Sequence, residues 1–319
     1  MRGQPGPGQA GIDHVLPAVV LVAEMDHMAR QPDLGALRVA QQYEGGLARP
    51  PVSGEHGPAE VQILAVLDHE GAVGDGLTHP GTGLGPQPLA PAHCVSVAVL
   101  ARMTGPRVLA VVGSGRGAVH LDLDGFIVTV TGPDVPWMPN GVVVGTLADL
   151  PRVSWHRAAP PAWDPVVAPV GGSRAVVVDL ARWLSARIEA PPVPMEHAGE
   201  RLIGRGRGLT PEGDDILAGA AVGLRALAPS VGVDADRIAR LIAALCPADT
   251  RSRTGALSAT LLELAVQGAA PEPVHRLLAS GDRETALADL RRLGASTGGA
   301  IAAGITLAAE YLIDATAPA

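Results

Sequence analysis

Between residues 216 and 228 the chain reads ILAGAAVGLRALA, and Arg225 is its only polar side chain. A helix of that composition has no face to offer water, so the rest of the fold must cover it on nearly every side. The stretch is too short to span a bilayer. Protein must therefore do the covering, and Gly219 and Gly223 would let a neighbouring helix come close.

Immediately before this segment lies GRGRGLTPEGDDILAG, residues 204–219. Thr210 followed by Pro211 predicts a helix that starts at Pro211 with Thr210 as its cap. Gly204, Gly206 and Gly208 leave the preceding backbone free to take positive φ, and a turn of this kind in front of a helix dipole is a ready anion site. Gly213 belongs to the same turn, and Arg205 and Arg207 add charge. Asp214 and Asp215 then stand at the mouth of a buried helix. Leaving such carboxylates ionised without a partner costs several kcal/mol, so they need a cation, helix N–H groups or an Arg. Capping by first-turn N–H groups meets that need. A metal such as Mg2+ held between Asp214, Asp215 and a phosphate would also meet it, although two Asp are an incomplete ligand set. Both are candidate catalytic residues.

Two further segments bear on the same site. Gly213-Asp-Asp-Ile-Leu-Ala-Gly219 aligns without a gap to Gly298-Gly-Ala-Ile-Ala-Ala-Gly304, which predicts a pseudo-symmetric pair of close-packed helices. Between the copies, Thr250, Arg251, Arg253, Thr254 and Ser258 form a hydroxyl and guanidinium cluster suited to carboxylate or phosphate. Arg251, Thr254 and Ser258 join the candidate anion-binding residues.

Upstream the pattern is different. Runs 95–101, 107–114, 118–123 and 126–131 are short, rich in Val, Ile and Leu, and separated by Gly-Pro, Gly-rich and Asp-Gly turns, which predicts an antiparallel sheet. Val142 to Val144 adds a strand after Pro139-Asn140-Gly141, and a helix is expected over 174–188. Asn140 and His120 are the residues here to test for ligand contact. From residue 200 the pattern turns helical, with Ile238, Leu241, Ile242 and Leu245 on one face of a helix begun at Asp234. Strands followed by helices predict an α+β fold: a β-rich subdomain over 93–190 and a helical one over 191–319. In residues 1–92, 26 are Gly or Pro and none is Trp or Phe, so that part has little to bury. It is expected to be a disordered or spurious extension.

The formal net charge of -8 provides no basic field for nucleic acid, and every basic residue is Arg. Lysine Schiff-base chemistry and a Walker-type phosphate loop are thereby excluded from this chain. Cys94 and Cys246 fit no metal-ligand pattern and read as free thiols. No membrane span is found, and a cytoplasmic location is expected. His156, His197 and His275 stand alone and read as surface residues.

The 204–219 motif, the Thr-rich start running through Ser258, the stretch 261–268 and the terminal STGGAIAAG helix together resemble a bacterial domain-of-unknown-function family. That family includes the AllH-type subunit of oxamate carbamoyltransferase, and the likeness covers roughly residues 95–315. The resemblance implies a component of a carbamoyltransferase that works with other subunits at the end of anaerobic allantoin breakdown. It would move a carbamoyl group from oxalurate to phosphate, giving oxamate and carbamoyl phosphate. All of these ligands are small anions. On that reading Gly206, Gly208 and Thr210 offer donors, while Asp214 or Asp215 orients an Arg, a metal or an amide. The alternatives are a non-catalytic scaffold or partner subunit and a module that senses small carboxylates.

Overall fold

A computed structural model describes residues 18–24, 60–66, 92–102, 107–115, 117–145, 147, 162–279 and 281–317. Of the segment 1–92 only two strands and Ala92 are among them, so the expectation for that extension lies outside the described residues, as does His156.

The described strands are β1 (Ala18–Glu24), β2 (Glu60–Val66), β3 (Ala92–Ser96), β4 (Arg107–Gly115), β5 (Ala118–Leu123), β6 (Phe126–Thr131), β7 (Gly141–Val144) and β8 (Ala162–Trp163). They form one sheet in the order β2-β1-β4-β5-β6-β7-β3-β8. Pairing is antiparallel except at β6–β7 and β3–β8, which are parallel. The β6–β7 connection, residues 132–140, is too long for a tight hairpin and carries the chain back to run alongside β6 in the same direction. The run expected as a strand over 95–101 ends early. Ser96 accepts a hydrogen bond from the Ala98 N–H at 3.2 Å and so caps a short helix, α1 (Val97–Leu100).

Alternation along β5 and β6 divides the sheet cleanly. Leu121, Leu123, Phe126, Val128 and Val130 face an apolar core shared with Val95, Val99, Val142 and Val144. His120 pairs with Thr129 on the opposite face.

The helices are α2 (Arg174–Ser185), α3 (Ala198–Leu202), α4 (Glu212–Val231), α5 (Ala235–Leu245), α6 (Thr250–Arg253), α7 (Ala256–Ala265), α8 (Glu272–Leu278), α9 (Arg283–Leu290) and α10 (Thr297–Asp314). The order is thus sheet first and helices after, the α+β arrangement expected. Helix α4 packs against α2, α3, α5, α7 and α10, which is the covering its composition demands. Ile238, Leu241, Ile242 and Leu245 of α5 are all buried against it, and the Asp234 side chain accepts from Arg237 N–H at the start of that helix.

Helices α4 and α10 pack closely along their length. A Cβ on Gly219 would lie 2.0 Å from the Ile301 carbonyl oxygen, and one on Gly304 would lie 1.9 Å from that of Ile216. The gapless alignment pairs Gly219 with Gly304 and Ile216 with Ile301, so each contact is the image of the other. A Cβ on Gly223 would meet the Cβ of Ala308 at 2.8 Å, and these two positions are also equivalent. The sequence echo is therefore a pseudo-twofold helix pair.

The sheet meets the helices through α6 and α7. Ile127 N–H donates to Thr260 Oγ1 at 3.1 Å, Arg251 Nη1 donates to the Gly125 carbonyl at 2.6 Å, and Leu264 enters the sheet's apolar core. No helix among the described residues is long and apolar enough to cross a membrane.

Candidate functional site

The glycine-rich turn is shaped by its backbone. Gly204, Gly206 and Gly208 have φ of +70°, +119° and +101°. A Cβ would also strike the Arg253 carbonyl oxygen at 2.4 Å from Gly204 and the Glu212 nitrogen at 2.6 Å from Gly206. Two of the three glycines are thus needed for space as well as for φ. The helix starts one residue later than the cap rule suggests. Pro211, at ψ 138°, is itself the cap residue, and α4 begins at Glu212. Gly213 N–H is taken by the Arg205 carbonyl at 2.8 Å, so the turn's own backbone satisfies the donor that the Thr210 hydroxyl was expected to reach.

Thr210 does something else. Its hydroxyl lies 3.1 Å from that of Thr297, the first residue of α10, and so joins the starts of the two paired helices. The two acids have separate surroundings. Asp214 accepts from Gly204 N–H at 2.7 Å through Oδ1 and from the Thr254 hydroxyl through Oδ2. Both its oxygens are engaged, and it ties the turn to the start of α7.

Asp215 is only 3 % exposed, and its Oδ2 has no hydrogen-bond partner. Burial pushes its pKa up from 3.8 to about 7. The Thr297 and Thr210 hydroxyls oppose that rise, while the neighbouring Asp214 and Glu212 charges add to it. Near neutrality the group can therefore hold or release a proton. One turn along α7 from Thr254, the Ser258 hydroxyl is also buried and without a partner. Unsatisfied buried polar atoms are rare, since each costs roughly 1–3 kcal/mol.

The structure thus brings Thr210, Gly204, Asp214, Asp215 and Thr254 together, with Thr297 added. Thr297 carried a signal in the sequence, the Ser-Thr pair before the second glycine-led helix start. Arg251 is turned elsewhere: Nε and Nη2 form a fork on Glu263, with Nε at 2.6 Å, and Nη1 goes to Gly125. Asn140 lies on the sheet, where its amide donates to the Ile127 carbonyl and Thr129 Oγ1. Arg205 lines an open cleft of about 500 Å³ with His197, Glu200 and Arg201. Among the described residues no group of three or more His, Cys, Asp and Glu is placed to hold a metal ion. With Asp214 already engaged, Asp215 alone is not a metal-ligand set.

No curated protein and no solved structure matches the chain. Residues 202–309, which hold Gly204, Thr210, Asp214, Asp215, Thr254, Ser258 and Thr297, match the family model of the oxamate carbamoyltransferase subunit AllH, the family that the sequence resembles.

Proposed function

We propose that this chain is a component of a carbamoyltransferase, with its reacting site where the starts of α4, α7 and α10 meet. The observation that carries this reading is Asp215: a buried carboxyl with an unpartnered oxygen and a pKa near neutrality, inside the span that matches the AllH family.

Transfer of a carbamoyl group from oxalurate to phosphate forms a bond between a phosphate oxygen and the carbamoyl carbon and breaks that carbon's bond to the oxamate nitrogen. The departing nitrogen must collect a proton. A neutral Asp215 carboxyl supplies it and regains one from the hydrogen phosphate that has attacked, and both transfers run backwards in the reverse direction. Asp214 is a positioning residue: its two bonds fix the turn and the start of α7. On this reading the Thr210 and Ser258 hydroxyls and the backbone of Gly206 and Gly208 are the donors for phosphate, carbamoyl phosphate or a small carboxylate. Mg2+, if used, would draw on Asp215 and on ligand oxygens. Other transferase subunits complete the enzyme.

Calorimetric titration of the full chain with carbamoyl phosphate, inorganic phosphate and oxamate, repeated on Asp215→Ala and Thr210→Ala, tests this. Binding to the wild type that falls by about tenfold or more in the variants, the loss of one good hydrogen bond, is expected. No binding of any of the three to the wild type, with every protein folded, would leave a non-catalytic scaffold or partner subunit as the better reading.

A further inference from the structure

The side of the sheet that carries His120 holds a chain of hydrogen bonds that starts from a fixed point. Asn140 is 0 % exposed, and its Nδ2 donates to the Ile127 carbonyl at 2.8 Å and to Thr129 Oγ1 at 2.9 Å. The opposite amide orientation would set two oxygens against each other at Ile127, so the donor direction is settled. Thr129 Oγ1 accepts from Asn140, and its own proton must go elsewhere. Its other neighbour is His120 Nδ1, 3.0 Å away. Thr129 therefore donates to Nδ1, and the imidazole carries its proton on Nε2. Burial lowers the His120 pKa, which keeps the ring neutral at pH 7.

That Nε2 has no hydrogen bond among the described residues. A Cβ on Gly113 would lie 3.8 Å from His120 Cδ2, the carbon bonded to Nε2, and 3.3 Å from both terminal carbons of Leu209. His120 Cδ2 and the Leu209 side chain thus flank the same point above Gly113, and Leu209, 50 % exposed, belongs to the glycine-rich turn and adjoins Thr210. His120 is half-buried.

We infer that His120 is the sheet's contribution to the ligand site, a neutral Nε2–H donor to a carbamoyl, carboxylate or phosphate oxygen, with Thr129 and Asn140 as the positioning residues that set its tautomer. This rests on the functional reading above. It also gives Asn140 a role through Thr129, its amide hydrogens being already spent.

The test uses the full chain with 15N-labelled histidine. Long-range 1H–15N correlation, with His120 assigned by its loss in His120→Gln, is expected to show Nε2 protonated and Nδ1 not. Thr129→Val should mix the tautomers, and Thr129→Ser should restore the single form. In calorimetry with carbamoyl phosphate, inorganic phosphate and oxamate, His120→Ala should weaken whichever ligands bind by about tenfold, the loss of one hydrogen bond. His120→Gln, whose amide N–H can take the place of Nε2–H, should stay within about threefold of wild type, most of that bond being kept. A protonated Nδ1 in the wild type would overturn the assignment. So would wild-type affinity in a folded His120→Ala while Asp215→Ala weakens binding, and that result would leave the carbamoyl reading standing. No binding to the wild type at all would end both.

Discussion

Replacing Asp215 by Asn should make the protein more stable at neutral pH, and the gain should vanish in acid. The folded state raises the Asp215 pKa from 3.8 to about 7. Between those values the folded chain holds a proton that the unfolded chain has released, so wild-type stability falls as pH rises. The stabilising contribution of the protonated acid is whole below about pH 4 and gone once the pH passes the folded value near 7. A span of roughly three pH units at 1.36 kcal/mol each amounts to about 4 kcal/mol. Asn has the shape of the neutral acid and does not titrate, so its stability curve lacks this slope. Urea unfolding of both proteins at intervals from pH 4.5 to 8 would measure the difference, since the titrating groups that are not coupled to Asp215 are common to the two and cancel. The expected difference opens at about 1.4 kcal/mol per pH unit and levels off above pH 7. A difference that stays constant across that range would refute the claim that Asp215 is neutral in the folded protein. If Asp215→Asn is more stable while Asp215→Ala binds ligand worse, the acid is being kept at a cost to the fold, the mark of a functional group.

Thr297→Val removes a hydroxyl that holds the Asp215 pKa down, so the level region in the same urea series should move to higher pH, and an unmoved profile would remove Thr297 from the site. Gly219→Ala and Gly304→Ala each force a methyl group to within about 2 Å of a carbonyl oxygen across the helix pair, and each should cost about 3 kcal/mol in chemical denaturation. Similar losses at the two positions are expected because the contacts are equivalent. Asp214→Ala leaves Gly204 N–H and the Thr254 hydroxyl without an acceptor, at about 1.5–3 kcal/mol for each charged hydrogen bond lost. Limited trypsin digestion should then cut at Arg205 and Arg207 faster than in the wild type.

Local signals fixed much of this fold. Strands β5 and β6 fall on their sequence runs because Asp124-Gly125 leaves little freedom between them, and the buried face of α5 follows from the spacing of four apolar residues. The covering of α4 was legible for the same reason, a missing polar face. What the sequence hid is non-local. Thr210 reads as a cap, yet the Arg205 carbonyl reaches Gly213 first, and the Thr210 hydroxyl turns to a residue 87 positions away. Arg251 reads as an anion ligand because nothing local marks Glu263 as its partner. His120 carries no motif at all: its place depends on Thr129 across the hairpin and on Asn140 in the connection that leads into β7.

The pseudo-twofold pair makes the site's one-sidedness informative. The alignment sets Gly299 opposite Asp214 and Ala300 opposite Asp215. A Cβ at Gly299 would meet nothing within 4 Å, so the missing acid there does not follow from lack of space. Position 300 differs in what surrounds it: Ala300 sits in an apolar cluster with Ile216 and Ala303, where burying a carboxyl is costly. Asp215 instead lies beside Thr210 and Thr297, one from each copy. The second helix start therefore serves the first. It gives up its own acids, supplies the Thr297 hydroxyl to Asp215, and through Gly304 brings α10 close enough to α4 for that hydroxyl to reach. A pair with acids at both starts would crowd like charges about the axis and push each carboxyl further toward neutrality. One acid flanked by hydroxyls from both copies is the arrangement that leaves a single group titrating near pH 7.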